Sequence, residues 1–65
     1  MRILVNGAPH EVASTTLETV LVELGYTQPR LATALDGDFV PAERRASRAL
    51  DDGMRLEVVS PMQGG

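Results

Sequence analysis

Met1-Arg2-Ile3-Leu4-Val5-Asn6-Gly7-Ala8-Pro9-His10-Glu11-Val12 opens the chain and reads as a β-hairpin from end to end. Ile3 to Val5 is a β-rich run. Asn6-Gly7 is the strongest short-range turn signal, because the tight type I′ turn needs positive φ at both central positions. A two-residue turn also fixes the register. It sets Val5 opposite Ala8, Ile3 opposite His10, Arg2 opposite Glu11 and Met1 opposite Val12, since cross-strand partners share a face. Apolar side chains then point inward, and Arg2 and Glu11 form an outward ion pair. Pro9 has no N–H to donate, so the second strand belongs at a sheet edge.

Working outward, Thr15-Thr16-Leu17-Glu18 offers a capping box with Thr15 as N-cap and Glu18 three residues on; Thr16 is the alternative cap. Leu17, Val20, Leu21 and Leu24 follow at i, i+3, i+4 and i+7, one apolar stripe, and Gly25 stands where a left-handed residue ends a helix. Glu18, Thr19, Val22 and Glu23 make the solvated face. Tyr26 to Arg30 is a connector ended by Pro29. Leu31 to Leu35 is then a third short strand, punctuated by Asp36-Gly37-Asp38 before Phe39-Val40-Pro41 resumes. Ala32 and Ala34 suit close approach by a sheet neighbour or the helix. Asp36 and Asp38 around one glycine are turn residues, since a cation loop needs several more oxygen ligands.

Glu43 to Leu50 holds Arg44, Arg45 and Arg48 in an irregular or short helical crossover, either a wet face or a contact for an acidic partner region. Asp51-Asp52-Gly53 turns the chain into Met54 to Val59, the final strand, which alternates until its last residue. Leu56 and Val58 face the core. Glu57 and Val59 lie on the opposite face, and Leu4, outward by the same alternation, joins Val59 in a docking patch if their strands are neighbours. The order is a hairpin, one helix, further strands and a crossover into the last strand of a mixed sheet of four to five strands. That is the plan of an α+β β-grasp domain spanning residues 1–65, with 1–59 globular and 60–65 a tail.

Sixty-five residues are one domain with a thin core. With no cysteine, the chain has no disulfide, no thiolate metal ligand and no cysteine nucleophile, which fits a reducing cytoplasm. No run approaches a membrane span, and Met1 to Val5 is too short for a signal peptide's apolar region. A net charge of −3, with Tyr26 and Phe39 the only aromatic residues, gives no basic or stacking platform for nucleic acid. All six basic residues are arginines, a compositional bias with little functional weight. His10, the lone histidine, has no Ser, Cys or acid constellation around it, so a structural or partly buried role is expected.

The sequence closes on Pro61-Met62-Gln63-Gly64-Gly65. Two residues without Cβ can thread a narrow channel, and an α-carboxylate is ionised near neutrality and able to attack the α-phosphorus of ATP. Taken alone, the dipeptide reads as a frayed polar end.

In their order and spacing, Met1-Arg2-Ile3-Leu4-Val5-Asn6-Gly7, Thr16-Leu17 through Leu21 to Leu24-Gly25, Ala34-Leu35, Phe39-Val40-Pro41, Asp52-Gly53, Leu56 to Val59 and Met62-Gln63-Gly64-Gly65 resemble the ubiquitin-like bacterial sulfur carriers of the MoaD/ThiS family, on its thiamin-biosynthesis side. The resemblance covers nearly the whole chain. Asp36 where Asn is common, Met54 where an acidic residue is common, and the lack of an aromatic near Arg45 depart from it. It implies no enzyme but a protein co-substrate that binds no cofactor or metal and has no catalytic residue. A ThiF-like partner adenylates the Gly65 carboxylate with Mg-ATP, and sulfur from a donor such as a cysteine desulfurase converts it to a thiocarboxylate. A ThiG-like thiazole synthase then takes the sulfur. Gly64, Gln63 and Met62 give access along the tail, while Val59, Leu4 and Glu57 dock the partner. Two other readings stay open: a MoaD-like carrier for molybdopterin or another thiolation pathway, and a β-grasp interaction domain whose Gly64-Gly65 is incidental.

Overall fold

A computed structural model describes residues 1–60 of the chain. Strands β1 (Arg2–Val5) and β2 (Ala8–Glu11), helix α1 (Leu17–Glu23), strands β3 (Ala32–Leu35) and β4 (Asp38–Val40), a 3-10 turn at Ala42–Arg44 and strand β5 (Arg55–Val59) follow in order. The strands form one mixed sheet ordered β2-β1-β5-β3-β4. β5 lies between β1, to which it is parallel, and β3, to which it is antiparallel.

The hairpin has the register that its turn dictates: Arg2 faces Glu11, Ile3 faces His10 and Val5 faces Ala8. Asn6 and Gly7 take φ of 50° and 87°, the left-handed pair such a turn requires. The Val12 N–H donates to the Met1 carbonyl at 2.8 Å, extending the pairing one step. Arg2 and Glu11 approach to 3.5 Å with both side chains 70% exposed, so this ion pair contributes little beyond register. β2 is the edge strand that Pro9 requires, and all of it is exposed, His10 included. The expected partial burial of His10 is therefore corrected. The core lies on the other side of β1, and only Val12, just past β2, turns into it.

The helix starts one residue later than the leading expectation. Thr16, not Thr15, is the N-cap, and its partner is Thr19 rather than Glu18: Thr16 Oγ1 accepts from the Thr19 N–H at 3.3 Å, and Thr19 Oγ1 accepts from the Thr16 N–H at 3.4 Å. The reason is tertiary. Thr15 and Thr16 are held extended against the crossover, where the Leu50 N–H donates to the Thr15 carbonyl at 2.8 Å and Thr16 bridges Ala49. At the other end Gly25, with φ 88°, allows the Tyr26 N–H to reach the Leu21 carbonyl (2.8 Å) and its own N–H to reach Val22 (3.1 Å), which satisfies the last carbonyls. Leu17, Val20 and Leu21 are buried against Ile3, Val5, Leu35, Leu56 and Val58, with Leu24 packed beside them.

β3 and β4 pair across Asp36-Gly37, with Ala34 opposite Phe39 and Leu35 opposite Asp38. The inward residues of β3 are Thr33 and Leu35, not the two alanines. Ala32 and Ala34 face outward, because Leu35 has the larger apolar area to bury and strand alternation carries Thr33 in with it. The buried Thr33 hydroxyl donates to the Val40 carbonyl at 2.9 Å and accepts from Arg45 Nε at 3.2 Å, and Arg45 Nη2 donates to the Leu31 carbonyl at 2.6 Å. One arginine of the crossover is thus a structural clamp that satisfies the polar group in the core.

Candidate functional site

The site is the outer face of the sheet, around the end of β5 where the chain leaves at Ser60. Alternation along β5 buries Leu56 and Val58 and exposes Arg55, Glu57 and Val59. Pairing with β3 sets Ala32 beside Val59 and Ala34 beside Glu57, and pairing of β3 with β4 brings Phe39 beside Ala34. Ala32, Ala34, Phe39 and Val59 therefore line one shallow depression with Asn6 and Glu57 at its margin. Phe39 is 68% exposed and Val59 60%. Two large apolar side chains left in water on one face, with alanines between them, make a contiguous apolar patch.

Leu4 and Val59 do not form one patch. Their strands are neighbours, but the parallel register sets Leu4 beside Arg55, four residues before Val59 and so about 13 Å along the strand. Leu4 lines a second depression with Gly7, Arg55 and Glu57, and the two depressions meet at Asn6 and Glu57. Glu57 is thus the only one of the three expected docking residues that borders both. Phe39, Ala32 and Ala34 were absent from the sequence-based docking set. The Asp36-Gly37 turn carried the missing signal, since a two-residue turn puts Ala34 and Phe39 on one face as firmly as Asn6-Gly7 sets the first hairpin.

Two turn residues hold the ends of β5. The Asp36 N–H donates to the Arg55 carbonyl at 2.8 Å, and the Arg55 N–H donates to Asp36 Oδ1 at 2.9 Å. At the far end, Asn6 Nδ2 donates to the Val58 carbonyl at 3.1 Å and the Val58 N–H donates to Asn6 Oδ1 at 2.9 Å. Asp36 is a turn residue, as expected, and its carboxylate is occupied by the backbone. Among the described residues there is no group of three or more His, Cys, Asp or Glu side chains placed to hold a metal ion, and no helix is long and apolar enough to cross a membrane. The tail residues expected to carry the chemistry, Met62, Gln63, Gly64 and Gly65, lie outside the described residues.

A five-stranded mixed sheet with β5 inserted between β1 and β3 and one helix packed across it is the ubiquitin-like β-grasp architecture. The crystal structure of the thiamine biosynthesis protein ThiS from Geobacter metallireducens superposes on it with a TM-score of 0.85 at 26% identity, each chain covered in full. The solution structure of a thiamine biosynthesis protein from the same organism gives a TM-score of 0.79 at 26% identity, covering 100% of this chain and 88% of that one. The model of the ThiS family matches residues 3–65, so the chain belongs to the ThiS family, the sulfur carriers of thiamin biosynthesis. A sulfur carrier protein ThiS from Thermus thermophilus is 35% identical over 97% of this chain and 98% of its own length. A thiazole synthase from Paramagnetospirillum magneticum is 35% identical over the whole of this chain, which spans 20% of the length of that protein.

Proposed function

We propose that this chain carries sulfur as a thiocarboxylate on Gly65 and delivers it to a thiazole synthase. The observation that carries the reading is that the family match runs through residue 65 and so takes in Gly64-Gly65. A ThiF-like enzyme docks on the outer sheet face at Phe39, Val59 and Glu57, with Leu4 at its margin, and receives the tail from Met62 onward. A Gly65 carboxylate oxygen attacks the α-phosphorus of Mg-ATP, forming an acyl adenylate and releasing pyrophosphate. The terminal sulfur of a persulfide, supplied from cysteine by a desulfurase, then attacks the acyl carbon and expels AMP. A second thiol attacks the inner sulfur of the resulting acyl disulfide, releasing the Gly65 thiocarboxylate and a disulfide. Glycine suits this step because it leaves little crowding at the acyl carbon and has no side chain to cyclise onto the mixed anhydride.

The chain in this scheme is a co-substrate, with ATP and Mg bound by the partner and the reaction placed in the cytoplasm. Sulfur bound to a carrier is delivered without release of free sulfide, and its greater polarisability makes it a better nucleophile than the oxygen it replaces. The alignment of the whole chain with part of a thiazole synthase favours that enzyme as acceptor over a molybdopterin synthase. The test is ATP–pyrophosphate exchange by a ThiF-like enzyme. The intact chain supports exchange and a chain lacking Gly65 does not, although both melt at the same temperature. Equal exchange by the two would refute Gly65 as the activated residue.

A further inference from the structure

The side chain of Asn6 does something the hairpin turn does not ask of it. In the parallel pairing of β1 with β5, the Leu4 N–H donates to the Met54 carbonyl and the Asn6 N–H to the Leu56 carbonyl, both at 2.9 Å. The next step of this ladder needs an N–H for the Val58 carbonyl and a carbonyl for the Val58 N–H. β1 cannot supply them, because at Asn6-Gly7, with φ of 50° and 87°, the backbone turns away into β2. The Asn6 carboxamide fills both places: Nδ2 donates to the Val58 carbonyl at 3.1 Å, and Oδ1 accepts from the Val58 N–H at 2.9 Å. An amide is the side chain with one donor and one acceptor in the geometry of a peptide group. Its position at positive φ, which Asn tolerates and β-branched residues resist, aims it across the strand end.

We propose that Asn6 is a positioning residue for the strand end from which the sulfur-carrying tail continues: its side chain extends the β1–β5 ladder by one step, pins Val58, and so holds Val59 and Ser60 in place. The proposal rests on the carrier reading, because positioning the tail matters only if another protein must catch its end. Val58 and Val59 have β3 on their other side, where Val58 faces Thr33 and Val59 faces Ala32. Without Asn6 the strand end hangs from β3 alone. Val58 to Ser60 then sample a wider range of positions, while Phe39, Ala34 and Glu57 stay in place. Asn6 also borders both depressions of that face, so the strand end is pinned beside the proposed docking surface.

The test separates this role from the turn. Asn6→Gly keeps positive φ and the hairpin but removes both side-chain bonds. Asn6→Asp keeps the shape and the acceptor but turns a carboxylate oxygen toward the Val58 carbonyl. Amide hydrogen exchange at Val58, normalised to Ile3, should quicken about 5- to 30-fold in Asn6→Gly, the range of two ordinary hydrogen bonds. With a ThiF-like enzyme and saturating Mg-ATP, kcat for adenylation should fall in both variants by a larger factor than KM for the carrier rises, because Asn6 only borders the docking face while Val58 leads into the strand end that the tail follows. A role confined to stability would lower the melting temperature and leave kcat of the folded protein unchanged. Unchanged Val58 exchange, or unchanged kcat with a wild-type chain that is adenylated normally, overturns the proposal. If the wild-type chain is not adenylated at all, the carrier reading falls and takes this one with it.

Discussion

Replacing Val59 tests the docking face with little disturbance to the fold. Val59→Ala removes two methyl groups, each about 0.8 kcal/mol when fully buried. Because Val59 is 60% exposed in the free chain, about 1 kcal/mol of that remains for a partner to gain, close to a fivefold loss of affinity. Val59→Asp asks more, since it places a second carboxylate on the face that already carries Glu57 and forces its desolvation against apolar surface. That penalty is several kcal/mol, so the loss should exceed about 100-fold. The fold itself loses little. An exposed strand substitution costs up to about 1 kcal/mol through β-propensity, a fall in melting temperature of about 4–8 °C for a domain of this size. Titration calorimetry of each variant against the ThiF-like enzyme, without ATP, gives the affinities, and thermal melts give the control. A folded Val59→Asp chain that binds as tightly as wild type would refute the assignment of this face.

The remaining predictions concern what holds the platform. Leu17 has no exposed surface, so Leu17→Ala should cost about 2–5 kcal/mol by urea unfolding. In a chain whose whole stability is about 3–10 kcal/mol, that leaves it close to its unfolding threshold; a cost below about 1 kcal/mol would contradict the packing described. Thr16→Ala should lower stability by about 1 kcal/mol and Thr15→Ala by much less, and the reverse order would restore Thr15 as the cap. The Glu23 carboxylate accepts from the Ala13 N–H at 3.0 Å and the Ser14 N–H at 2.9 Å, and these bonds, Ala13's first, hold its pKa below the ordinary carboxylate value. A depressed folded-state pKa means that the stabilisation is complete above the unfolded-state value and is lost as pH falls through the folded one. The gap in melting temperature between wild type and Glu23→Gln should therefore close on acidification, and a gap independent of pH would contradict the contact.

Much of the platform was legible in the sequence because short-range chemistry settles it. Asn6-Gly7 has one compatible hairpin register, Gly25 marks the helix end, and alternation from Arg55 to Val59 separates core from surface. What escaped depends on contacts between distant segments. Thr15 and Thr16 are equivalent as local caps, and only pairing with Ala49 and Leu50 decides between them. Arg45 reads as a surface charge until Thr33 is seen to need a donor. Leu4 and Val59 share a face, but their separation follows from the parallel register of β1 and β5, which no turn connects and no local signal sets. The same holds for Asn6, whose turn propensity is plain in the sequence while its grip on Val58 spans 52 positions.

The central claim is that sulfur rides on Gly65, and intact-protein mass spectrometry measures it directly. After incubation with a ThiF-like enzyme, Mg-ATP, a cysteine desulfurase, cysteine and a thiol reductant, the chain should gain the mass that replaces one oxygen by sulfur. Fragmentation should place that gain at Gly65, and adding a thiazole synthase with its substrates should remove it. A chain that keeps its mass under these conditions, or gains sulfur at any other residue, would contradict the account.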